Sequence, residues 1–454
     1  MNRPAKHGYV ILICLSVLSL TSFNMAQEQE RDGFLTFTLK HHTTREVKDK
    51  ITNVLENNVK KAEVISNKQG LQHRVGGYYT SDYELHCTNF YFLQKQMELL
   101  QWQYRTANDN DSRDAIIQKI ASLYVSQVDT AKETVIKSEE HQRLGHITPF
   151  EYINCETLLD RVRLERLEFL STYQMPNSLQ DQILQLLESN VKKAERITRV
   201  FQTIDAHPHI PSLTLFANYY AEFYFYQKQL ELLRWQYENS QDSATRQTIA
   251  ETVSVIYEKQ LGVTRKLNDL CEELFQQYGM TTEMLLSCKT LYEYVVSDDT
   301  DFKLAMQTKE SEHNKTSATQ MVDMPRSNVK KAQNFCEAYE NQFQEETKSD
   351  TSPRKTNTLG LLRTQHYFHQ KQKELLYRQY KNTKKTTERD DLAEKLMEVY
   401  KEQWGTAKKM ADTAKEAHDT RTCSMKDYLD CENMFDQTTL DILCFMLDRV
   451  EQEK

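Results

Sequence analysis

Hydrophobic and amide side chains recur along this chain at helical spacing, and the stripe they trace is drawn three times. Phe92, Gln96, Leu99 and Gln103 fall on one face of a helix; so do Phe225, Gln229, Leu232 and Gln236, and again Phe368, Gln372, Leu375 and Gln379. The surrounding pattern, YFxQKQxELLxxQY, begins at Tyr91, Tyr224 and Tyr367, and a second motif, NVKKA, begins at Asn58, Asn190 and Asn328. A cysteine follows each QKQ at a fixed distance, so that Gln94 to Cys155, Gln227 to Cys288 and Gln370 to Cys431 each span 61 positions. Repetition on this scale defines tandem structural units.

Each unit reads as four helices. The first runs over 45–68, 179–204 and 326–346, and the second, carrying QKQ, over 80–106, 213–239 and 358–382. The third covers 113–143, 246–276 and 388–418, and the fourth 149–173, 282–306 and 424–447. At 1.5 Å per residue the third helices extend about 45 Å. Prolines agree with these breaks: Pro149 follows a Gly-containing turn, Pro176 and Pro325 stand at unit junctions, and Pro208, Pro211 and Pro353 share one loop. The spacing from NVKKA to QKQ is 36, 37 and 42 residues in the three units, whereas QKQ to Cys never changes. The first loop is therefore free in length, and the geometry of the last three helices is constrained. The expected fold is all-α: three tandem repeats of long antiparallel helices, over 45–175, 178–306 and 326–447, with a linker over 307–325.

Composition narrows the class. Only 10 Gly and 7 Pro among 454 residues exclude a loop-rich or β-rich chain. Three units of roughly 130–145 residues match the usual domain size. A net charge of −8 provides no basic field for nucleic acid. Arg3 and Lys6 precede an apolar run from Tyr9 to Leu20, the pattern of an export signal over 1–26 with cleavage after Ala26. Asn24 occupies a position where a small residue is preferred, so an uncleaved anchor is the alternative. An exported chain, periplasmic or extracellular, is the expectation, with membrane contact only through this segment.

The repeated positions have structural readings first. Gln94, Gln227 and Gln370 belong to a packing seam whose amides bond to neighbouring helices or water; the competing reading is a polar ligand groove lined by Gln, Tyr and Phe. Tyr124, Tyr257 and Tyr400 share one position on the third helix, and Gly262 and Gly405 share another where the first unit has Asp129. Two glycines at one helical position point to close contact with a bulky neighbour, or to a kink.

Cysteines bring the only distinctive chemistry. Cys155, Cys288 and Cys431 read as small core residues of the fourth helix, seven positions after the capping residues Thr148, Thr281 and Ser424. In the second unit Cys271 and Cys288 stand equally far from the hairpin turn, a candidate disulfide; the other units place Ser138 and Ala414 opposite their cysteines. Cys336 and Cys444 form a weaker candidate pair. A metal shared by the three repeated cysteines would require the units to converge on an axis, since a linear array holds them tens of ångströms apart. His366 and His369 lie one turn apart and would need a carboxylate or thiolate from another helix to hold a metal. No HExxH, CxxC, GxSxG or phosphate-loop pattern occurs, so neither an enzyme nor a cofactor is expected. Glycosylation patterns at Asn110 and Asn314 would act only in a eukaryotic secretory route.

The segment AKETVIKSEEHQRLGHITPFEYINCETLLDRVRLE, residues 131–165, resembles the helical hairpin of TolC-like outer-membrane efflux proteins. Gly145 would end the long helix, Thr148 cap the next, and Cys155 take the small-residue position, with Thr281 and Cys288, then Ser424 and Cys431, in the other units. The resemblance implies an envelope location and long hairpins. The chain departs from that family in having three units rather than two and no alternating ten-residue segments for barrel strands. These observations suggest an exported, non-catalytic structural or interaction protein whose second and third helices face a partner, either another envelope protein or a second copy. A transport-assembly component and a thiol- or metal-binding protein are the alternatives.

Overall fold

Local sequence fixes where the helices start. At the third helix of repeat one, Asp109 accepts from Ser112 N at 2.7 Å, and in repeat two Asp242 accepts from Thr245 N at 2.8 Å. At the fourth, Thr148 and Glu151 form a reciprocal capping box: Thr148 N donates to Glu151 Oε2 at 2.7 Å and Glu151 N to Thr148 Oγ1 at 3.2 Å. In repeat three Ser424 Oγ accepts from Asp427 N at 3.0 Å. The preceding helix ends on a left-handed residue, Gly145 at φ 74° in repeat one and Arg421 at φ 61° in repeat three. His146 N then reaches back to His141 O at 2.9 Å, and Thr422 N to Ala417 O at 2.8 Å.

The computed structural model describes residues 42–74, 82–173, 176–203, 211–278, 282–310, 316–349, 355–383 and 385–452. Among them are twelve helices and no strand. Repeat one holds α1 (Thr44–Arg74), α2 (Asp82–Thr106), α3 (Asn110–Arg143) and α4 (Pro149–Tyr173). Repeat two holds α5 (Pro176–Thr203), α6 (Pro211–Asn239), α7 (Ser243–Tyr278) and α8 (Thr282–Glu310). Repeat three holds α9 (Thr316–Ser349), α10 (Lys355–Asn382), α11 (Thr386–Asp419) and α12 (Met425–Gln452). The expected linker over 307–325 is helical at both ends, because α8 runs to Glu310 and α9 begins at Thr316. Pro325 thus lies inside α9 rather than at a junction: a proline removes one ladder hydrogen bond, which a long flanking helix can survive. The signal segment and Asn314 lie outside the described residues.

The chain divides into two compact units, one made of the residues up to Ile51 with those from Ile442 onward, the other of Thr52–Asp441. In the first, Val47 and Ile51 of α1 and Ile442, Leu443 and Phe445 of α12 are buried, and Lys48 lies 3.4 Å from Glu451.

Within Thr52–Asp441 each helix packs on its sequence neighbours, and each repeat docks on the next through its fourth helix. α4 packs on α5 and α6, and α8 on α10. Phe150 of α4 sits 4.6 Å, ring to ring, from Tyr220 of α6, inside the same core as Val253, Tyr257 and Leu267 of α7. α12 in turn meets repeat one: Lys61 of α1 bonds Glu432, and Tyr91 of α2 bonds Asp436. Three equivalent junctions therefore run from repeat one to two, two to three and three to one. The repeats close on themselves rather than forming a line.

Candidate functional site: three repeated junctions and a shared cavity

The residues most deeply used by the repetition are ones that composition would assign to solvent. The middle lysine of each QKQ is buried, with Lys95 1%, Lys228 2% and Lys371 7% exposed. Each faces a carboxylate five positions after the repeated cysteine on the preceding fourth helix, namely Asp436, Asp160 and Glu293. At the junction of repeats three and one, Lys61 Nζ of NVKKA lies 2.5 Å from Asp436 Oδ1 and 2.8 Å from Glu432 Oε2. Tyr91 OH donates to Asp436 Oδ2 at 3.0 Å, and Lys95 stands 3.5 Å from the same oxygen. With its amide nitrogen toward the carboxylate, Asn58 adds a donor at 3.1 Å. Repeats one and two are joined identically: Lys193 to Asp160 at 2.5 Å and Glu156 at 2.7 Å, Tyr224 OH to Asp160 Oδ2 at 2.7 Å.

Electrostatics within these junctions are mutually supportive. Burial alone would pull the Lys61 ammonium down, but Asp436 and Glu432 hold it above the ordinary lysine value. Burial pushes Asp436 up, and Lys61 with Lys95 more than reverses this, leaving the carboxyl below its usual range. The Tyr91 hydroxyl is raised by burial and then by Asp436, so it remains a donor.

The junction of repeats two and three is built differently. Tyr367 OH donates to Glu293 Oε1 at 2.7 Å and Lys371 lies 2.8 Å from Glu293 Oε2, but Lys289 replaces the second carboxylate. Lys289 turns instead to Glu272 at 2.5 Å and to the Phe335 ring at 5.0 Å, and Lys331 of NVKKA is exposed. One seam of the three thus lacks an ion pair that the other two have.

The three fourth helices converge on a cavity of about 610 Å³. Its walls take Phe150 and Asn154 from α4, Tyr220 from α6, Leu286, Ser287, Thr290 and Leu291 from α8, Arg363, His366 and Gln370 from α10, and Lys426, Asp430, Asn433 and Met434 from α12. Gln94 lines a neighbouring hollow that shares Asn154, Lys426, Asp430 and Asn433. Lys426 pairs with Asp430 at 3.5 Å, and Arg363 Nη2 with Asp427 Oδ1 at 3.2 Å. Burial pushes the Asp430 carboxyl up, with Lys426 and Arg363 pulling the other way. Tyr220 OH donates to Asn154 Oδ1 at 2.6 Å.

The repeated cysteines do not face this cavity's axis together. Cys155 lies against Tyr83 OH at 3.7 Å, Cys431 against Arg363 Nη2 at 3.9 Å, and Cys288 joins Cys271 as a disulfide pair with Cα atoms 6.9 Å apart. Ser138 and Ala414, the residues opposite in the other hairpins, are fully buried, so all three hairpins share one register. Cys336 instead rests 3.7 Å from Glu340 Oε1 and 3.9 Å from Thr364 Oγ1 and is in no disulfide, so the pairing with Cys444 is not formed; α9 turns this thiol onto α10. Among the described residues no three His, Cys, Asp or Glu side chains assemble to hold a metal. His366 contacts Thr438 Oγ1 and Gln403 Nε2, both at 3.4 Å, and burial lowers its pKa to about 4; His369 lies 3.5 Å from Glu402.

Other expectations resolve at the same level. Gln370 accepts from Gln403 Nε2 at 2.7 Å, and Gln94 donates to Glu98 at 3.4 Å; Gln227 is half-buried on α6. Tyr124, Tyr257 and Tyr400 are core residues, Tyr257 OH donating to Asp298 at 2.7 Å. Gly262 and Gly405 are corrected: a Cβ added at either would meet nothing within 4 Å, because no neighbouring helix approaches that face. Buried Tyr91, Lys95 and their equivalents turn one face of the QKQ helices into the junctions, while Phe92, Gln96, Leu99 and Gln103 are half-buried. No known family model matches the chain, and no curated protein is detectably similar in sequence.

Proposed function

We propose that this chain is an exported, non-catalytic structural or interaction protein, a closed set of three helical repeats that meets its partner through the outer faces of the first and third helices. One observation carries the reading: the charged residues common to the repeats, Lys95, Lys228 and Lys371 with Asp436, Asp160 and Glu293, act between repeats. The repetition thus serves assembly of the fold itself. Burial makes poor nucleophiles of two of its thiols, pushing Cys431 up to about 12 and Cys336 up to about 11.

Crosslinking of the protein in cells, followed by mass spectrometry of its N-terminus and adducts, tests this. A mature N-terminus near residue 27 with a defined adduct through first- or third-helix residues is expected. An intact N-terminus in a cytoplasmic fraction, or a monomer without adducts, refutes the reading.

A further inference from the structure

The cavity at the meeting of α4, α8 and α12 gathers several of the third repeat's departures from the other two. Arg363 stands where the first two repeats have Cys87 and Tyr220, and His366 where they have Phe90 and Phe223. Lys426 replaces Phe150 and Glu283, and Asp430 replaces Asn154 and Ser287. All four third-repeat residues line the cavity. The junction residues Tyr367, Lys371 and Asp436, a few positions away, keep their type, and a further departure, Lys373 in place of Met97 and Leu230, pairs with Asp441 at 2.8 Å outside the cavity. Arg363 and Asp430 put charge where both other repeats have neutral side chains, in a partly enclosed space where charge is costly without a counterpart.

The chemistry of the wall states what would fill it. Arg363 and Lys426 are the cations of the wall and Asp430 its carboxylate, with Asp427 bonded to Arg363 at 3.2 Å, and His366, lowered to about 4, is neutral at physiological pH. Asp430 retains 42% of its side-chain exposure and Lys426 29%, so this group is reachable. A guanidinium has five N–H donors and can hold Asp427 and a ligand carboxylate together. Phe150 of α4 and Leu286 and Leu291 of α8 supply apolar lining to the same cavity, with Met434 of α12. Sites of this size with apolar walls and a few convergent polar groups suit small ligands.

We propose that this cavity binds a small amphipathic organic anion, its carboxylate on Arg363 and Lys426 and its hydrocarbon body against the α4 and α8 side of the wall. The inference does not depend on export or on a protein partner.

Calorimetric titration of the full chain with octanoate, octylammonium and octanol, each below micelle-forming concentration, separates charge from hydrophobic content. Octanoate is expected to bind at one site per chain, about tenfold tighter than octylammonium, a difference of about 1.4 kcal/mol. Asp430→Asn removes the like charge on the cavity wall, leaving Asp427 in place, and should tighten octanoate several-fold. Arg363→Gln with Lys426→Gln should reduce octanoate to the affinity of octanol, and Leu291→Trp should abolish binding of all three by filling the space. Equal affinity for the three probes, preference for the ammonium, or octanoate binding that survives Leu291→Trp overturns the proposal. If the double variant does not fold, Asp430→Asn decides alone: a gain for octanoate at one site per chain with no gain for octanol supports the site, since misfolding would raise binding of both, and no gain in octanoate affinity counts against the site.

Discussion

Replacing the second lysine of each NVKKA motif by methionine puts the junctions to a test with an internal control. In Lys193→Met, Glu156 and Asp160 lose an ammonium at 2.7 and 2.5 Å, and Asp160 is 1% exposed. The nearest remaining cation to Asp160 is Lys228 at 3.9 Å, already engaged by Glu231 at 2.9 Å. At an effective dielectric of about 20, a charge pair at such distances is worth on the order of 6 kcal/mol before desolvation. Removing one partner of a buried pair lowers stability by about 3–5 kcal/mol, chiefly by stranding the other charge. Lys61→Met should behave alike, since Lys61 holds Glu432 and Asp436 at 2.8 and 2.5 Å. Lys331→Met should shift stability by less than about 0.5 kcal/mol, because Lys331 is exposed and faces a junction where Lys289 stands in place of the acid. Urea denaturation followed by circular dichroism reads the difference; with a slope on the order of 3 kcal/mol/M, the first two variants lose roughly 1 M or more in midpoint. Equal losses in all three variants, or none in any, would refute the account of the junctions.

Gly262→Ala and Gly405→Ala should each stabilise the protein by about 1 kcal/mol, read as a raised thermal midpoint, because both sites are helical and the added methyl meets open space. His366 has its folded pKa lowered to about 4, so between the unfolded value near 6.5 and that point the unfolded chain binds the extra proton; this contribution to stability is present above pH about 6.5 and is lost as pH falls toward 4. His366→Phe, the residue type of Phe90 and Phe223, should flatten that part of the pH–stability curve. Oxidised protein should show a two-proton mass deficit mapped to Cys271 and Cys288, and their joint replacement by Ala should lower stability by about 3 kcal/mol for a loop of 17 residues, with a smaller loss under reductant, where only the packing of the two buried sulfurs is removed. At pH 8 iodoacetamide should leave Cys431 and Cys336 unlabelled in the folded state, since burial holds their pKa values at about 12 and about 11.

Much of the fold was legible because helices are local. The capping role of Thr148 and Ser424, the break before Pro149 and the facing of Cys271 with Cys288 all follow from spacings within one hairpin, where antiparallel register is set by the turn. The candidate site was less legible. Attention to the stripe of Phe92, Gln96 and Leu99 passed over Lys95 because lysine is rarely buried without a partner, and its partner, Asp436, is more than 300 residues away. A signal was present in the repeats: an acidic residue follows Cys155, Cys288 and Cys431 at the same distance, as Asp160, Glu293 and Asp436. The glycine pair misled for the converse reason, since a sequence does not say which face of a helix is left open.

By itself the sequence determined the number of repeats, the four helices in each, the fourth-helix caps Thr148 and Ser424 and the hairpin register, since these depend on contacts a few residues to a few tens of residues apart. Only the tertiary structure decided that the last repeat docks on the first and that lysines are buried in the junctions. It also brought the Arg363, Lys426 and Asp430 substitutions to one cavity. These are pairings between distant segments, favourable only once several helices have excluded water and each buried charge finds its opposite.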